Sequence, residues 1–520
     1  MHSPDSRADS TLRGPGEFSR AAIVALFVVL MGVVSIPIVT HTLPPFSDYL
    51  NHLSRTYVIN HIGTDPDLAR FYVVKWQVVP NLMIDAAMLA LTPIMDVYRA
   101  GQIFTLAAFV LILTGTLALN RALFGYWSAL PLIAAPLLYN EVLLVGVMNY
   151  IFGIGLALWA LAVWVALRDR RWPGRIAVST LFALALFFCH LYVVGVYGLA
   201  LLGLELQRLW ARRSDPLLPR LTEFIAAGFP FLPVIALLSE SPTLNAADKF
   251  SWMIGGKIDG LLMAINVYYH VAAYGLIAVA LVAGTWASRN RMLHFHPAGW
   301  MIFAVGGVVY LAMPRSLFAA HMADQRLPIA LAFMLIACLQ VEFRHRRVRQ
   351  IFIALLVVLL AIRVTEVQRV WNRLGLVTEE FQRSVMLIER GARVLIVHAD
   401  RSSGEDVSDY ELVHAASLAT IERSALVSTT FTVEGKQPLL VREEFRRYVE
   451  TEDRTPPSIP YFLEAARNDV PYFFTRWPMH FDYVYILFTK LGAANPDPED
   501  MTGIFDGPSF QLYRVMRDGR

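Results

Sequence analysis

Long apolar runs separated by short polar connections fill the chain from Phe18 to about Val364, after which the pattern breaks into short segments. The runs lie near 19–40, 97–119, 126–140, 147–167, 176–189, 191–206, 221–239, 262–287, 298–313, 327–343 and 350–365. Their lengths approach or exceed the roughly 18–20 residues needed to cross a bilayer, which predicts about eleven crossings. Two stretches need a decision. Residues 80–95 are apolar, but a crossing there would reverse the side of every later arginine cluster, so they predict a juxtamembrane or re-entrant helix. Residues 176–206 predict two short helices turning at Phe188-Cys189-His190, because one long tilted helix would break the same parity.

The arginines then orient the chain. Arg121, Arg168-Asp169-Arg170-Arg171 with Arg175, the Arg208–Arg220 stretch, Arg289 with Arg291, and Arg344–Arg349 fall in alternate connections. All are expected in the cytoplasm. The intervening connections are poor in positive charge and are expected outside. The N-terminus is then cytoplasmic, with residues 1–18 a disordered tail. Phe18–Thr40 is longer than a secretory h-region and lacks an A-x-A site, so it predicts an uncleaved anchor. The transmembrane domain is expected over 19–365, with a first outer loop at 41–79.

Residues 366–520 are expected to form an extracytoplasmic α/β domain. Arg393–His398, Tyr483–Phe488 and Phe510–Val515 read as buried strands. Glu379–Arg390, Asp409–Thr420 and Arg442–Glu450 read as helices between them. No phosphate-binding glycine loop and no internal repeat is present.

Composition agrees with the membrane reading. The chain is 56% hydrophobic and only 17% charged, against roughly 25% charged in soluble domains, and its mean hydropathy is +0.49. The net excess of +3 is too small to argue for nucleic acid, and none is expected as a partner. Cys189 and Cys338 sit far apart in apolar runs, which suits packing and excludes a disulfide framework.

The chemistry concentrates after the first run, in Pro44-Pro45-Phe46-Ser47-Asp48-Tyr49-Leu50-Asn51-His52-Leu53-Ser54-Arg55. On a helix Asp48, His52 and Arg55 share one face. Tyr49 and Leu53 form a neighbouring stripe suited to the lipid headgroup layer. A carboxylate beside an imidazole suits base chemistry on a hydroxyl. The competing reading makes Asp48 a plain helix N-cap. Further polar residues collect on the same outer side: Glu141 and Asn149 around one turn, His190 at the next, and Arg315, His321, Asp324 and Arg326 in the loop after the ninth span. Each has a structural alternative: a helix-end carboxylate, a packing histidine, a local Asp324–Arg326 pair. Their shared side favours a common site. Arg315 and Arg326 suit a phosphate, so a lipid-linked phosphate could lie opposite Asp48.

These residues carry a resemblance. The proline-rich first loop with its acid, the many spans and the outer tail resemble the GT-C glycosyltransferases, integral membrane enzymes that use polyprenyl-phosphate sugars. Uncharacterised bacterial members carry a similar Pro-Pro-x-x-Asp-Tyr-x-Asn-His-Leu stretch and a Gly-x-x-Asn-Tyr/Phe-x-x-Gly turn, here Gly146–Gly153. The resemblance implies a bacterial inner-membrane enzyme that transfers a sugar from a lipid-phosphate donor to a glycan, lipid or protein acceptor. It also implies a base or metal-binding role for Asp48. The acidic pair of the superfamily is absent, because Tyr49 follows Asp48, so a divalent cation stays an open cofactor and no metal ligand is assigned. His52 is a candidate second catalytic group; Tyr49, Asn51 and Arg55 are candidate substrate contacts. The alternatives are a transporter or flippase, which predicts related halves and mid-membrane polar residues, and a non-enzymatic envelope-assembly scaffold.

Overall fold

The computed structural model describes residues 18–516 apart from 247–248, 319, 401, 450–455 and 470–471; the polar tail lies outside the described residues except for Phe18. Among the described residues, eight helices are long and apolar enough to cross a membrane: α1 (Arg20–Thr40), Val97–Phe124, Met148–Ala166, α2 (Trp172–Cys189), α3 (Leu191–Ala211), Leu217–Ser239, His270–Arg289 and α4 (Arg346–Val385). Pro297–Ala312, α5 (Ala323–Ala337) and a 3₁₀ segment, Leu130–Leu137, occupy the three remaining predicted runs. Pro131 and Pro136 explain the 3₁₀ form, since each removes a donor and crowds the preceding turn. The protein is thus a polytopic helical membrane protein.

Two sequence decisions are resolved. Residues 80–95 yield only the nine-residue helix α6 (Met83–Leu91), too short to span at about 1.5 Å per residue. The break at His190 is real: its backbone is extended (φ −170°, ψ 135°) and separates α2 from α3. The close packing of the second and third long helices depends on glycine. A Cβ on Gly155 would lie 2.6 Å from the Leu111 Cβ, so a larger residue would force the helices apart.

The helix predicted over 350–365 runs on. α4 has 40 residues and absorbs part of the helix expected at 379–390. Its second half lies under a five-stranded sheet. The strands among the described residues are β1 (Tyr72–Val74), β2 (Leu293–Phe295), β3 (Leu339–Val341), β4 (Arg393–His398), β5 (Leu426–Val427), β6 (Leu439–Val441), β7 (Tyr483–Leu487), β8 (Met501–Asp506) and β9 (Phe510–Val515). The sheet order is β5-β4-β7-β9-β8, parallel across the first three strands and antiparallel after them. The helices expected at 409–420 and 442–450 are shorter: Tyr410–Val413, α7 (Ser417–Arg423) and Glu443–Arg446; Glu450 lies outside the described residues.

The loop after α1 is built into this region. Its strand β1 pairs antiparallel with β6, and Asp65 takes an ion pair from Arg390 (2.8 Å) and a hydrogen bond from the Ser424 hydroxyl (2.6 Å). Between them lies α8 (Tyr49–His61), nine of whose thirteen residues are buried. Tyr49 and Leu53 are fully covered by protein, which corrects the expectation that they face lipid headgroups; Tyr49 packs on the Gly101 side of the second long helix. Arg55 is also turned inward. It forms a two-pronged ion pair with Asp85 of α6 (2.8 and 2.7 Å), both side chains 1% exposed.

Removing one partner from a buried ion pair leaves an uncompensated charge, at a cost of about 3–5 kcal/mol. Asp85→Ala should therefore markedly lower the apparent melting temperature of the detergent-solubilised protein, while Arg55→Met/Asp85→Leu together should recover most of it. Equal melting of the single variant and the parent would remove this pair from the scaffold.

Candidate functional site

Asp48 is held by its backbone. The Ser47 N–H donates to the Leu144 carbonyl (2.8 Å) and the Asp48 N–H to the Val145 carbonyl (3.0 Å). The turn that receives them depends on Gly146, whose φ is +85°; a Cβ there would sit 2.6 Å from the Asp48 nitrogen. The two sequence motifs are therefore mutual neighbours. Asp48 does occupy the N-cap position of α8, but its side chain makes no capping hydrogen bond. The carboxylate is turned elsewhere, into a cavity.

That cavity measures about 530 Å³ and lies where the membrane helices meet the C-terminal region. Asp48 and His52 line its floor. One wall is supplied by the membrane part, with His190, Tyr192, His321 and Arg326; the facing wall comes from the C-terminal region, with His398, Glu405, His414, Phe431 and Lys436. The Asp48 carboxylate stands 3.5 Å from the His414 Nε2. Phe431 meets the rings of both His52 and His414 edge to face, at 5.7 and 5.4 Å between centroids, and so fixes their spacing.

On the membrane wall, Arg326 Nη1 and His190 Nε2 are 3.3 Å apart. His190 caps α3, its Nδ1 accepting from the Tyr192 N–H (3.1 Å). Burial first, then the Arg326 and His52 charges, push the His190 pKa down to about 3, so the ring is neutral. With Nδ1 accepting, the single ring proton sits on Nε2. Two donors then face each other, an arrangement that an anion between them would satisfy. Arg326 makes no carboxylate ion pair among the described residues, and its Nε is buried without a partner. It lies in the first turn of α5, and His190 lies at the start of α3, so two helix N-termini add their positive ends.

Apart from His321, the other sequence candidates are placed away from the cavity. Asn51 accepts from the Ser417 hydroxyl of α7 (2.9 Å). Asn149 clamps the start of α6: it accepts from the Ile84 N–H (2.7 Å) and donates to the Asn81 carbonyl (2.8 Å). Arg315 pairs with Asp324 (2.9 Å), which also takes Lys257 (2.8 Å), so the local pair of Asp324 is not with Arg326. His321 does reach the cavity, with Nδ1 3.2 Å from the Ser316 hydroxyl. Glu141 begins a short helix, Glu141–Leu144, outside the lining. Sequence reading missed the C-terminal wall entirely. One signal pointed to it: His398 ends a strand of the parallel part of the sheet, the edge where ligands gather in such sheets.

Among the described residues, no group of three or more His, Cys, Asp or Glu side chains comes together as a metal site.

A crystal structure of ArnT from Cupriavidus metallidurans bound to undecaprenyl phosphate is similar to this chain, over 96% of this chain and 99% of that one, with a TM-score of 0.50 and 10% identity. No protein-family model matches the chain, and no curated protein matches it in sequence. The likeness shows a shared fold, the polytopic architecture that the GT-C resemblance implied.

Glu141 supplies a pH test of the outer turn. Burial first, then the Asp259 and Asp406 charges, raise its pKa from 4.5 to about 7. Between those values the folded chain holds a proton that the unfolded chain has lost. Stability contributed by that proton is complete below about pH 4.5 and lost as pH rises toward 7. Glu141→Gln should match the parent at pH 4.5 and melt higher at pH 8; melting curves of equal separation at both pH values would contradict the assignment.

Proposed function

We propose that the protein is a membrane glycosyltransferase that moves a sugar from a polyprenyl-phosphate donor to a cell-envelope acceptor at the outer face. The observation that carries this reading is the cavity's polarity: a carboxylate on its floor and a carboxylate-free arginine with a neutral N–H donor on its membrane wall. The anion subsite suits the donor's phosphate, and Arg326, which is 8% exposed, would neutralise the charge that grows on it as the sugar leaves. Asp48 would accept the proton of the acceptor hydroxyl as it attacks the anomeric carbon from the side opposite the departing phosphate. The fold shared with a structure bound to undecaprenyl phosphate supports the lipid-phosphate class of donor.

Of the two sequence-stretch arginines, Arg326 is the phosphate ligand in this scheme, because Arg315 is already paired. His52 orients the floor beside Asp48 through the Phe431 contact. The C-terminal region is outside the cell membrane in this reading, with the N-terminus cytoplasmic. An alkaline phosphatase fused after residue 520 should then be active, whereas a fluorescent cytoplasmic reporter glowing at that position would overturn the orientation.

Turnover of a radiolabelled polyprenyl-phosphate sugar by the purified protein tests the activity itself. Asp48→Asn keeps the side chain's size but cannot take a proton, and general-base contributions run to about 10²–10⁴-fold in rate. Transfer should fall by that amount with donor binding intact, and Asp48→Glu should restore part of it. Arg326→Ala should instead weaken donor binding, since a charge-assisted partner of the phosphate is gone. An Asn variant as active as the parent would refute the base assignment.

A further inference from the structure

Six large apolar side chains between positions 250 and 261 are more than half exposed: Phe250, Trp252, Met253, Ile254, Ile258 and Leu261. They lie in the connection between Leu217–Ser239 and His270–Arg289, outside both helices. A non-helical arm, Phe250–Met253, leads through a 3₁₀ turn at Ile254–Gly256 into the short helix Lys257–Met263. Ile254, Ile258 and Leu261 follow one another at helical spacing and form one outward stripe.

The opposite face is pressed onto the rest of the membrane part. A Cβ on Gly256 would collide with the Arg315 guanidinium, and one on Gly260 would lie 3.0 Å from the Gln325 Cα. The Lys257 ammonium is turned the same way. It pairs with Asp324 (2.8 Å) and donates to the Tyr310 and Met313 carbonyls (3.0 and 2.5 Å). Ser251 bridges antiparallel to Ser316, and the Arg315 N–H donates to the Ser251 carbonyl (2.8 Å). These polar groups point inward, and the large apolar side chains are left outside.

Three surroundings are available to that outer face. Water is a poor one, because contiguous exposed apolar surface marks a contact with a protein or a membrane. The hydrocarbon core is excluded as well. The helix has seven residues, too short to cross at about 1.5 Å per residue. The non-helical arm would also leave backbone donors and acceptors unmatched in hydrocarbon. What remains is the boundary between headgroups and acyl chains, where an apolar stripe dips in and the backbone stays hydrated. Two observations favour it over a protein partner. The face continues the lipid-facing surface of the neighbouring helices, where Leu232, Ile235, Val271 and Tyr274 are also more than half exposed. Asp259, exposed beside the stripe, interacts electrostatically with Glu141, whose short helix adjoins the Asp48 turn, so the charge of the segment lies toward the cavity.

We infer that residues 250–261 seat the protein on its bilayer: the stripe enters the headgroup–acyl boundary on the side of the cavity, with Phe250 and Trp252 as aromatic anchors. The partner is the lipid surface. Lys257 and Arg315 both hold Asp324, in the first turn of α5 beside Arg326. The seat is thereby braced to the anion-binding wall and fixes its height above the acyl chains. It is independent of what the cavity transfers.

The test places a fluorophore on Ile254→Cys, a position 81% exposed, in the full-length protein in nanodiscs of phosphatidylethanolamine and phosphatidylglycerol. The parent, whose two cysteines are buried, supplies the labelling blank. Nitroxide lipids labelled near the headgroup or deep in the acyl chain, together with aqueous iodide, report depth. Leu491→Cys in the C-terminal region is the water control, and Leu181→Cys in the middle of α2 is the deep control; both positions are 67% exposed. The Ile254 label should be quenched more by the shallow nitroxide than by the deep one, and hardly by iodide. Deep quenching as strong as at Leu181 would put the segment in the hydrocarbon core and overturn the seat. Quenching by iodide alone, as at Leu491, would put it in water and do the same. Shielding from lipid and iodide alike would mean that a second copy or another protein covers the stripe, which also overturns it. A second arm labels Leu261→Cys in the Ile254→Glu/Ile258→Glu background. Carboxylates resist leaving water, so the shallow quenching seen with Leu261→Cys alone should be lost; unchanged quenching would show that the stripe does not hold the segment at the boundary.

Discussion

The cavity exists because α8 is polar and yet buried. A helix with Asn51, His52, Ser54, Arg55 and Thr56 all covered is costly to bury unless its polar groups are bonded. Its main anchors lie on two sides. Arg55 reaches Asp85 in the membrane part, and Asn51 reaches Ser417 in the C-terminal region. Ser54 and Thr56 bond back to carbonyls of their own helix. The helix is therefore a bolt between two bodies, and the space beside its N-terminal end, where Asp48 emerges, becomes the cavity.

This arrangement explains why the loop after α1 and the tail belong together. β1 of the loop and β6 of the tail complete a two-stranded ribbon, and Asp65 reaches across to Arg390 and Ser424. Taking the tail away would expose the Leu68, Phe71 and Tyr72 cluster that packs on Leu426 and Leu439. The C-terminal region also contributes chemistry, since His414 lies against the carboxylate that the first loop provides. Neither half holds a complete site.

The membrane architecture was legible in the sequence because hydrophobic length and arginine placement are local quantities. The break at His190 and the strands at 393–398 and 510–515 were legible for the same reason. Asp48, His52, His190, His321 and Arg326 were found and do share one cavity. The fate of Arg55 was not legible: helical periodicity put it on the face of Asp48 and His52, but periodicity names a face and not a partner, and Asp85 lies thirty residues away. Arg315 and Asn149 failed in the same way, each captured by a polar group that no local pattern announces. His414 was missed because a lone histidine in a soluble-looking tail carries no signal until folding sets it against the carboxylate of Asp48, near the Asn51–Ser417 clamp, and His398 is just such a lone histidine.

The burial of the charged groups also links the two ends of the cavity. Arg326 is 8% exposed and lacks a carboxylate partner among the described residues, while the Asp48 side chain is 28% exposed and already faces an imidazole. A guanidinium this buried is costly, and Asp48 offsets it only across a distance. An anion arriving there relieves that energy at once and removes the positive field that otherwise acts on Asp48. Asp48 interacts electrostatically with Arg326 across the cavity. Neutralising Arg326 with a phosphate therefore makes the carboxylate easier to protonate, which is the direction a base needs. Under the proposed transferase reading, donor and acceptor then act on each other through this field, a phosphate on Arg326 making Asp48 the stronger base.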